Sequence, residues 1–245
     1  MDFTEDLLRQ LKTKKLAQSV CWKPEVDSTN TWAKQAGREA LLRGDDSLDG
    51  ALFAAGCQTG GKGRFGRVWT SPAGENLYMT LLLLRPGVKP ENASQLTLVM
   101  GLAVAQAANE ILEASGCSRR AGIKWPNDVV VSGRKICGIL TEMQIKEEKA
   151  EAILIGVGIN VNQKEFPPEL LDKATSLSLQ IGEKQSLTRT AARTLEYFEK
   201  DYEQFCETQD LSRLREDYER LLLNKDQQVR IQEKDREYCA VAKGI

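Results

Sequence analysis

Four apolar stretches follow one another in the middle of the chain, at residues 120–124, 128–131, 136–144 and 151–160, with only short spacers between them. Ser132-Gly133 is a hairpin signal between the second and third. Strands joined this way run antiparallel, so this part of the chain is not built from β-α-β crossovers. Earlier in the sequence, strand patterns at 19–25, 51–58 and 76–84 alternate with helical ones. A helix beginning after Ser28, which reads as its N-cap, runs to about Arg43, and a second covers 92–114 with an almost unbroken apolar middle. A first helix over 3–18 carries Leu7, Leu8, Leu11 and Leu16. After Phe166-Pro167-Pro168 the pattern is helical at 188–207 and 211–223, and 227–245 reads as two short strands with a turn at Lys234-Asp235. This arrangement predicts an α+β fold with a mixed β-sheet packed against helices.

The chemistry is bounded by an absence. The 245 residues include no histidine, which removes Ser-His-Asp and Cys-His nucleophiles, a His base and histidine zinc sites. Six scattered cysteines, none in a C-x-x-C spacing, read as free thiols of a cytoplasmic protein. The first 15 residues are charged throughout and hold no signal core, and the longest aliphatic run, at 81–84, is far short of a membrane span. A net charge of -1 argues against a general nucleic-acid binder.

The segment Gln58-Thr59-Gly60-Gly61-Lys62-Gly63-Arg64-Phe65-Gly66-Arg67 follows a strand directly. Glycines let a backbone approach an anion closely, and Lys62, Arg64 and Arg67 can neutralise it. A phosphate or carboxylate cradle is the sharper reading, and a solvated basic loop the plainer one. Neither a dinucleotide fingerprint nor a P-loop fits, because Val68-Trp69-Thr70-Ser71-Pro72 is loop where both require a helix, and Gly63 stands where the P-loop needs a hydroxyl.

Three further clusters stand out. Lys124-Trp125-Pro126-Asn127-Asp128 forms a tight turn that can aim polar groups into a site, and reads equally well as a capped turn with a buried Trp. Lys135 opens the apolar strand Ile136-Cys137-Gly138-Ile139-Leu140; taken alone, a solvated strand-end Lys is the commoner case. Gly156-Val157-Gly158-Ile159-Asn160 alternates glycines, which marks close approach of a ligand or of another backbone, and Asn160 carries the donor and acceptor that an adenine edge requires. Ser28-Thr29-Asn30, at a helix start, offers free N–H groups.

Taken in order, D-S-T-N (27–30), Q-T-G-G-K-G-R-F-G-R-V-W (58–69), S-P-A-G-E-N-L-Y (71–78), K-W-P-N-D (124–128), G-R-K-I-C-G-I-L (133–140) and G-V-G-I-N (156–160) resemble the biotin–protein ligases. The resemblance implies activation of biotin by ATP to biotinyl-5′-adenylate, with Mg²⁺ on the phosphates, and transfer to a lysine of a biotin carboxyl carrier protein. It implies that Ser28, Thr29, Asn30, Gln58, Lys62, Gly63, Arg64, Lys135 and Gly138 hold biotin. The nucleotide falls to Arg64, Arg67, Trp69, Lys124, Asn127, Lys135 and Asn160. Lys135, Arg64 and Asp128 would be catalytic, Asp128 by deprotonating the acceptor lysine. Such chemistry needs positive charge where two anions meet, and no imidazole.

Three departures qualify the match. The family loop reads G-R-G-R, and here it is Gly61-Lys62-Gly63-Arg64. Only 26 residues precede Asp27, so the winged-helix DNA-binding domain of repressor-type members does not fit and DNA is not an expected partner; nor is a membrane. Residues 1–222 would form the catalytic domain, and 223–245 the start of an SH3-like barrel that stops after two strands, a truncation. A homodimer stays open. The alternatives are a lipoate or octanoate ligase, disfavoured by the missing R-R-x-x-G-G-G loop and histidine, and a non-catalytic biotin sensor.

Overall fold

The computed structural model describes residues 2–232 and 236–245; the expected turn at Lys234-Asp235 lies outside them. Seven strands make one sheet in the order β1-β2-β3-β7-β6-β5-β4: β1 (Val20–Val26), β2 (Leu52–Gln58), β3 (Leu77–Leu84), β4 (Ala121–Lys124), β5 (Asp128–Val131), β6 (Arg134–Lys146) and β7 (Lys149–Ile159). Only β1 and β2 pair in parallel, joined through helix α2 (Thr29–Arg43); the other neighbours are antiparallel. The mixed sheet is as predicted. At the β5–β6 hairpin both Ser132 and Gly133 adopt positive φ, the pair of conformations that a tight two-residue turn demands.

The two faces are covered unequally. Helices α3 (Leu96–Ala114) and α5 (Leu187–Thr208) pack on one face and build the main core with Leu81, Ile139, Ile155 and Phe198. A 3₁₀ turn (Pro90–Gln95) precedes α3, so the regular helix starts later than residue 92. Helix and turn together, Pro90–Ala114, are long and apolar enough to cross a membrane by composition, but two-thirds of the apolar window is buried inside this fold. On the other face α2 buries Ala33 and Ala40 against Phe53, Leu82 and Leu154. Its packing falls mainly on β2, β3 and β7, and it meets β6 only through polar side chains near its start. Beside the start of α2 the sheet face over β5–β7 is therefore left open, and the cavity described below sits there.

Two helix expectations change. Helix α1 is Phe3–Gln10, ending well before residue 18. The backbone N–H groups of Lys14, Lys15 and Leu16 instead donate to the Glu199 carboxylate of α5 at 2.7–2.8 Å. Those bonds hold the Glu199 carboxyl below the usual carboxylate range against the opposing effect of its burial. A short helix α4 (Leu177–Ile181) lies in a stretch with no clear sequence pattern. At the far end α6 (Arg215–Leu221) leads into a two-stranded sheet of β8 (Gln228–Gln232) and β9 (Glu237–Val241). The junction is tied to β4: the Leu223 N–H donates to the Ile123 carbonyl (2.9 Å) and the Trp125 N–H to Asn224 Oδ1 (2.8 Å).

Candidate active site

The open part of the sheet forms the floor of a cavity of about 500 Å³. Its floor is bare because of register. Gly138 on β6 and Gly158 on β7 are direct partners, and Gly156 follows two residues along on the same face. The ring of Trp69 lies on the pair: a Cβ at Gly158 would come within 2.6 Å of it and one at Gly138 within 2.9 Å. At Gly156 a Cβ would collide with the Asn30 side chain. The alternating glycines thus make room for two side chains from elsewhere in the chain. The indole N–H of Trp69 is buried over Gly158 without an acceptor.

The glycine-rich segment folds as a narrow hairpin, with Lys62 bridging Val68 and the Trp69 N–H donating to the Gly61 carbonyl at 2.9 Å. A side chain at Gly61 would collide with the Trp69 carbonyl. No helix follows, as expected. Its tip is a 3₁₀ turn at Arg64–Gly66 with Phe65 85% exposed. Arg64 reaches across to Asn127, donating to Oδ1 at 3.0 Å, and Lys62 donates to the Thr31 hydroxyl at 3.0 Å.

At the inner end, polar groups of α2, β2 and the loop bond to one another. The Thr29 N–H donates to Gln58 Oε1 (2.9 Å), Gln58 Nε2 to the Ser71 hydroxyl (3.0 Å), and Ser71 to the Trp69 carbonyl (3.1 Å). Ser28 occupies the N-cap position, but its hydroxyl makes no capping bond; Gln58 from β2 satisfies a different amide, the first of the helix, at Thr29. At the outer end, Lys135 Nζ stands 2.6 Å from Asp128 Oδ1 and 5.2 Å above the Trp69 ring centroid. The carboxylate contact is an ion pair without hydrogen-bond alignment, so the ammonium retains donors for a ligand.

Every residue that the family resemblance assigns to a ligand or to catalysis lines this cavity: Ser28, Thr29, Asn30, Gln58, Lys62, Gly63, Arg64, Arg67, Trp69, Lys124, Asn127, Asp128, Lys135, Gly138 and Asn160. Two residues differ in detail from expectation. Asn160 is 5% exposed and one Nδ2 hydrogen is already donated to the Thr175 carbonyl at 3.1 Å, so it keeps one amide hydrogen and its oxygen for an incoming group. Trp125 is 55% exposed and outside the cavity, not the buried anchor of a capped turn. Sequence reasoning missed a wall formed by Phe166, Pro167, Leu170 and Asp172–Ala174. The Lys135 N–H donates to the Lys173 carbonyl and the Thr175 N–H to the Lys135 carbonyl, so this wall is stitched to the start of β6. Its one sequence signal was Phe166-Pro167-Pro168, which had served only as a helix boundary.

Residues 14–160 match the Biotin/lipoate A/B protein ligase family. The chain belongs to that family. A Bacillus subtilis protein, the bifunctional ligase/repressor BirA, is 40% identical over 197 residues, covering 80% of this chain and 57% of that one. The biotin–[acetyl-CoA-carboxylase] ligase of Paracoccus denitrificans is 37% identical over 136 residues, or 56% of this chain and 52% of its own. The chain therefore spans a little over half the length of these curated relatives. The biotin protein ligase of Aquifex aeolicus, solved in complex with biotin and ATP, superposes with a TM-score of 0.76 at 30% identity, over 93% of this chain and 88% of that one. A Leishmania major biotin protein ligase, at 22% identity and TM-score 0.68, shares the fold.

Proposed function

We propose that this chain condenses biotin with ATP to biotinyl-5′-adenylate and passes the biotinyl group to a lysine of a biotin carboxyl carrier protein. The observation that carries this reading is the polarity of the cavity. Its inner end, built from Thr29, Asn30, Gln58 and Ser71, offers amide and hydroxyl partners to a neutral head group that both donates and accepts, as a urea does. Its mouth gathers Lys62, Arg64, Arg67, Lys124, Lys135 and Lys173 around Trp69. A carboxylic acid with a ureido head would lie along it, carboxylate outward.

In the first step a biotin carboxylate oxygen bonds to the α-phosphorus, the bond to the β-phosphate oxygen breaks, and pyrophosphate leaves. No protein nucleophile is needed. Lys135 would hold the carboxylate and the α-phosphate together, with Arg64, Lys62 and Gly63 closing over the acyl-adenylate. Arg67, Trp69, Lys124, Asn127 and Asn160 would hold the nucleotide. Cations at those positions lower the cost of bringing two anions into contact. In the second step the carrier's lysine amine attacks the acyl carbon, AMP leaves, and the amine's proton goes to Asp128. No set of three carboxylates or thiols is grouped for a metal among the described residues. Mg²⁺ would be held mainly by the phosphates, with Asp128 or Asp172 completing its shell, and would supply charge neutralisation.

We read residues 1–222 as the catalytic unit and 223–245 as the first strands of an SH3-like barrel. Six free cysteines fit a reducing cytoplasm. The test is ATP–pyrophosphate exchange driven by biotin, beside the same assay with lipoate. Exchange with biotin alone, lost in Lys135→Ala, is expected. Exchange with lipoate alone would assign the other branch of the family, and binding of biotin without exchange would make the chain a sensor.

A further inference from the structure

Asn30 is buried at the inner end of the cavity, and its amide is gripped from behind. Nδ2 donates to Glu142 Oε2 at 2.8 Å and to the Leu140 carbonyl at 3.3 Å, both on β6. Neither acceptor carries a hydrogen, so the amide nitrogen must face β6. Oδ1 then faces β3, where the Thr80 hydroxyl donates to it at 2.6 Å. Thr80 is fully buried, the one aliphatic hydroxyl in the apolar strand Leu77–Leu84. It also lies 2.8 Å from the Thr29 hydroxyl, which in turn meets Gln58 Oε1 at 3.2 Å. Gln58 is fixed separately by the Thr29 N–H, which can only donate. Neither Thr80 nor Glu142 lines the cavity.

We propose that Thr80 and Glu142 are positioning residues that fix the Asn30 amide so that both Nδ2 hydrogens and one Oδ1 lone pair are taken by protein partners, leaving the second Oδ1 lone pair as the capacity it can offer the cavity it lines, and so make the inner end an acceptor for the N–H of a cyclic urea. The proposal rests on the reading of the cavity as a biotin site. An amide is nearly symmetric in shape, so packing alone does not choose between its two orientations; the partners do. Flipped, Asn30 would point its NH₂ at the ureido N–H, donor against donor, and the mismatch would weaken binding of the head group while leaving the nucleotide's contacts intact. Lys34, one turn along α2 from Asn30, stands 3.9 Å from Glu142 Oε1. It meets the carboxylate oxygen that the amide does not use, so the Glu142 acceptor is braced as well.

The test is direct titration of the whole protein with biotin alone, followed calorimetrically, with the KM for ATP in the exchange assay as the control. Thr80→Val keeps the shape and removes the donor, and is expected to weaken biotin binding about tenfold, the worth of one buried hydrogen bond. Thr80→Ser restores it. Glu142→Gln, which can still accept, stays close to the unaltered protein, whereas Glu142→Lys reverses the partner's polarity and weakens biotin more than Thr80→Val does. The KM for ATP is unchanged in all four. If Thr80→Ser binds as weakly as Thr80→Val, or if the KM for ATP moves in step with biotin affinity, the effect is packing and the proposal is overturned. Unaltered binding in both Thr80→Val and Glu142→Lys overturns the proposal alone. Failure of the unaltered chain to bind biotin overturns the reading on which it rests, and the proposal with it.

Discussion

The Asp128 carboxylate lies 2.6 Å from the Lys135 ammonium, the two reaching toward each other from the adjacent strands β5 and β6. The pair joins the group proposed to accept a proton to the group proposed to hold the acyl phosphate. Asp128→Asn removes the proton acceptor but keeps a polar neighbour for Lys135. Transfer to the carrier lysine should then slow by at least about a hundredfold, in the range expected for loss of a general base, with a smaller loss in adenylate formation. Single-turnover measurement of each half-reaction checks this, and equal losses in both would refute the assignment.

Gly158→Ala tests the floor of the cavity. Its Cβ would stand 2.6 Å from the Trp69 ring, so the indole must lift. Overpacking of this kind costs about 1–3 kcal/mol of stability. Exchange activity should fall and the indole fluorescence should change. Gly138→Ala is milder, because part of what its Cβ meets is the flexible end of Lys135. Equal tolerance of both substitutions in thermal melts and in exchange would show that Trp69 does not depend on this surface.

Lys62→Arg should slow escape of the adenylate. Lysine offers a point charge, whereas arginine's fork can grip a phosphate or carboxylate with two bonds. A severalfold longer residence of labelled adenylate on the protein is expected, measured by filter retention; an unchanged off-rate would mean that this position does not reach the ligand.

Stability should fall as pH rises through the weakly acidic range. Burial pushes the Asp201 carboxyl on α5 up to about 7, with Lys200 opposing. The folded chain then keeps a proton that the unfolded chain has released above about pH 4, so stability is lost between there and about pH 7. The loss is on the order of 4 kcal/mol at most. Asp201→Asn should flatten the Tm profile across that interval. Glu199 acts in the opposite sense: its carboxyl is lowered, so what it contributes disappears only on further acidification. A profile with the same slope in Asp201→Asn and the unaltered protein would refute the assignment.

The strands and the lining residues of the cavity were legible because each is written locally. Hairpin dipeptides, alternating glycines and a cation-rich loop declare themselves within a few residues. What was not legible depends on contacts distant in sequence. Helix α1 stops early because a carboxylate some 185 positions away takes the next amides. The first amide of α2, at Thr29, is taken by Gln58 on β2, a partner 29 positions away that no local pattern marks. Asn30 was legible from its motif, but its partners Thr80 and Glu142, 50 and 112 positions away, were not. The wall at Asp172–Ala174 follows from pairing with Lys135, which no local pattern encodes.

The paired glycines have one more consequence. On either side of Gly138 and Gly158, Cys137, Ile139, Val157 and Ile159 belong to the core on the α3 side of the sheet. Along these strands a single peptide layer is therefore both the wall of the ligand chamber and the lining of the protein's interior. Reshaping an interior side chain there would raise or tilt the floor on which the ligand rests. The shape of the cavity can thus change through side chains on the opposite face of the sheet.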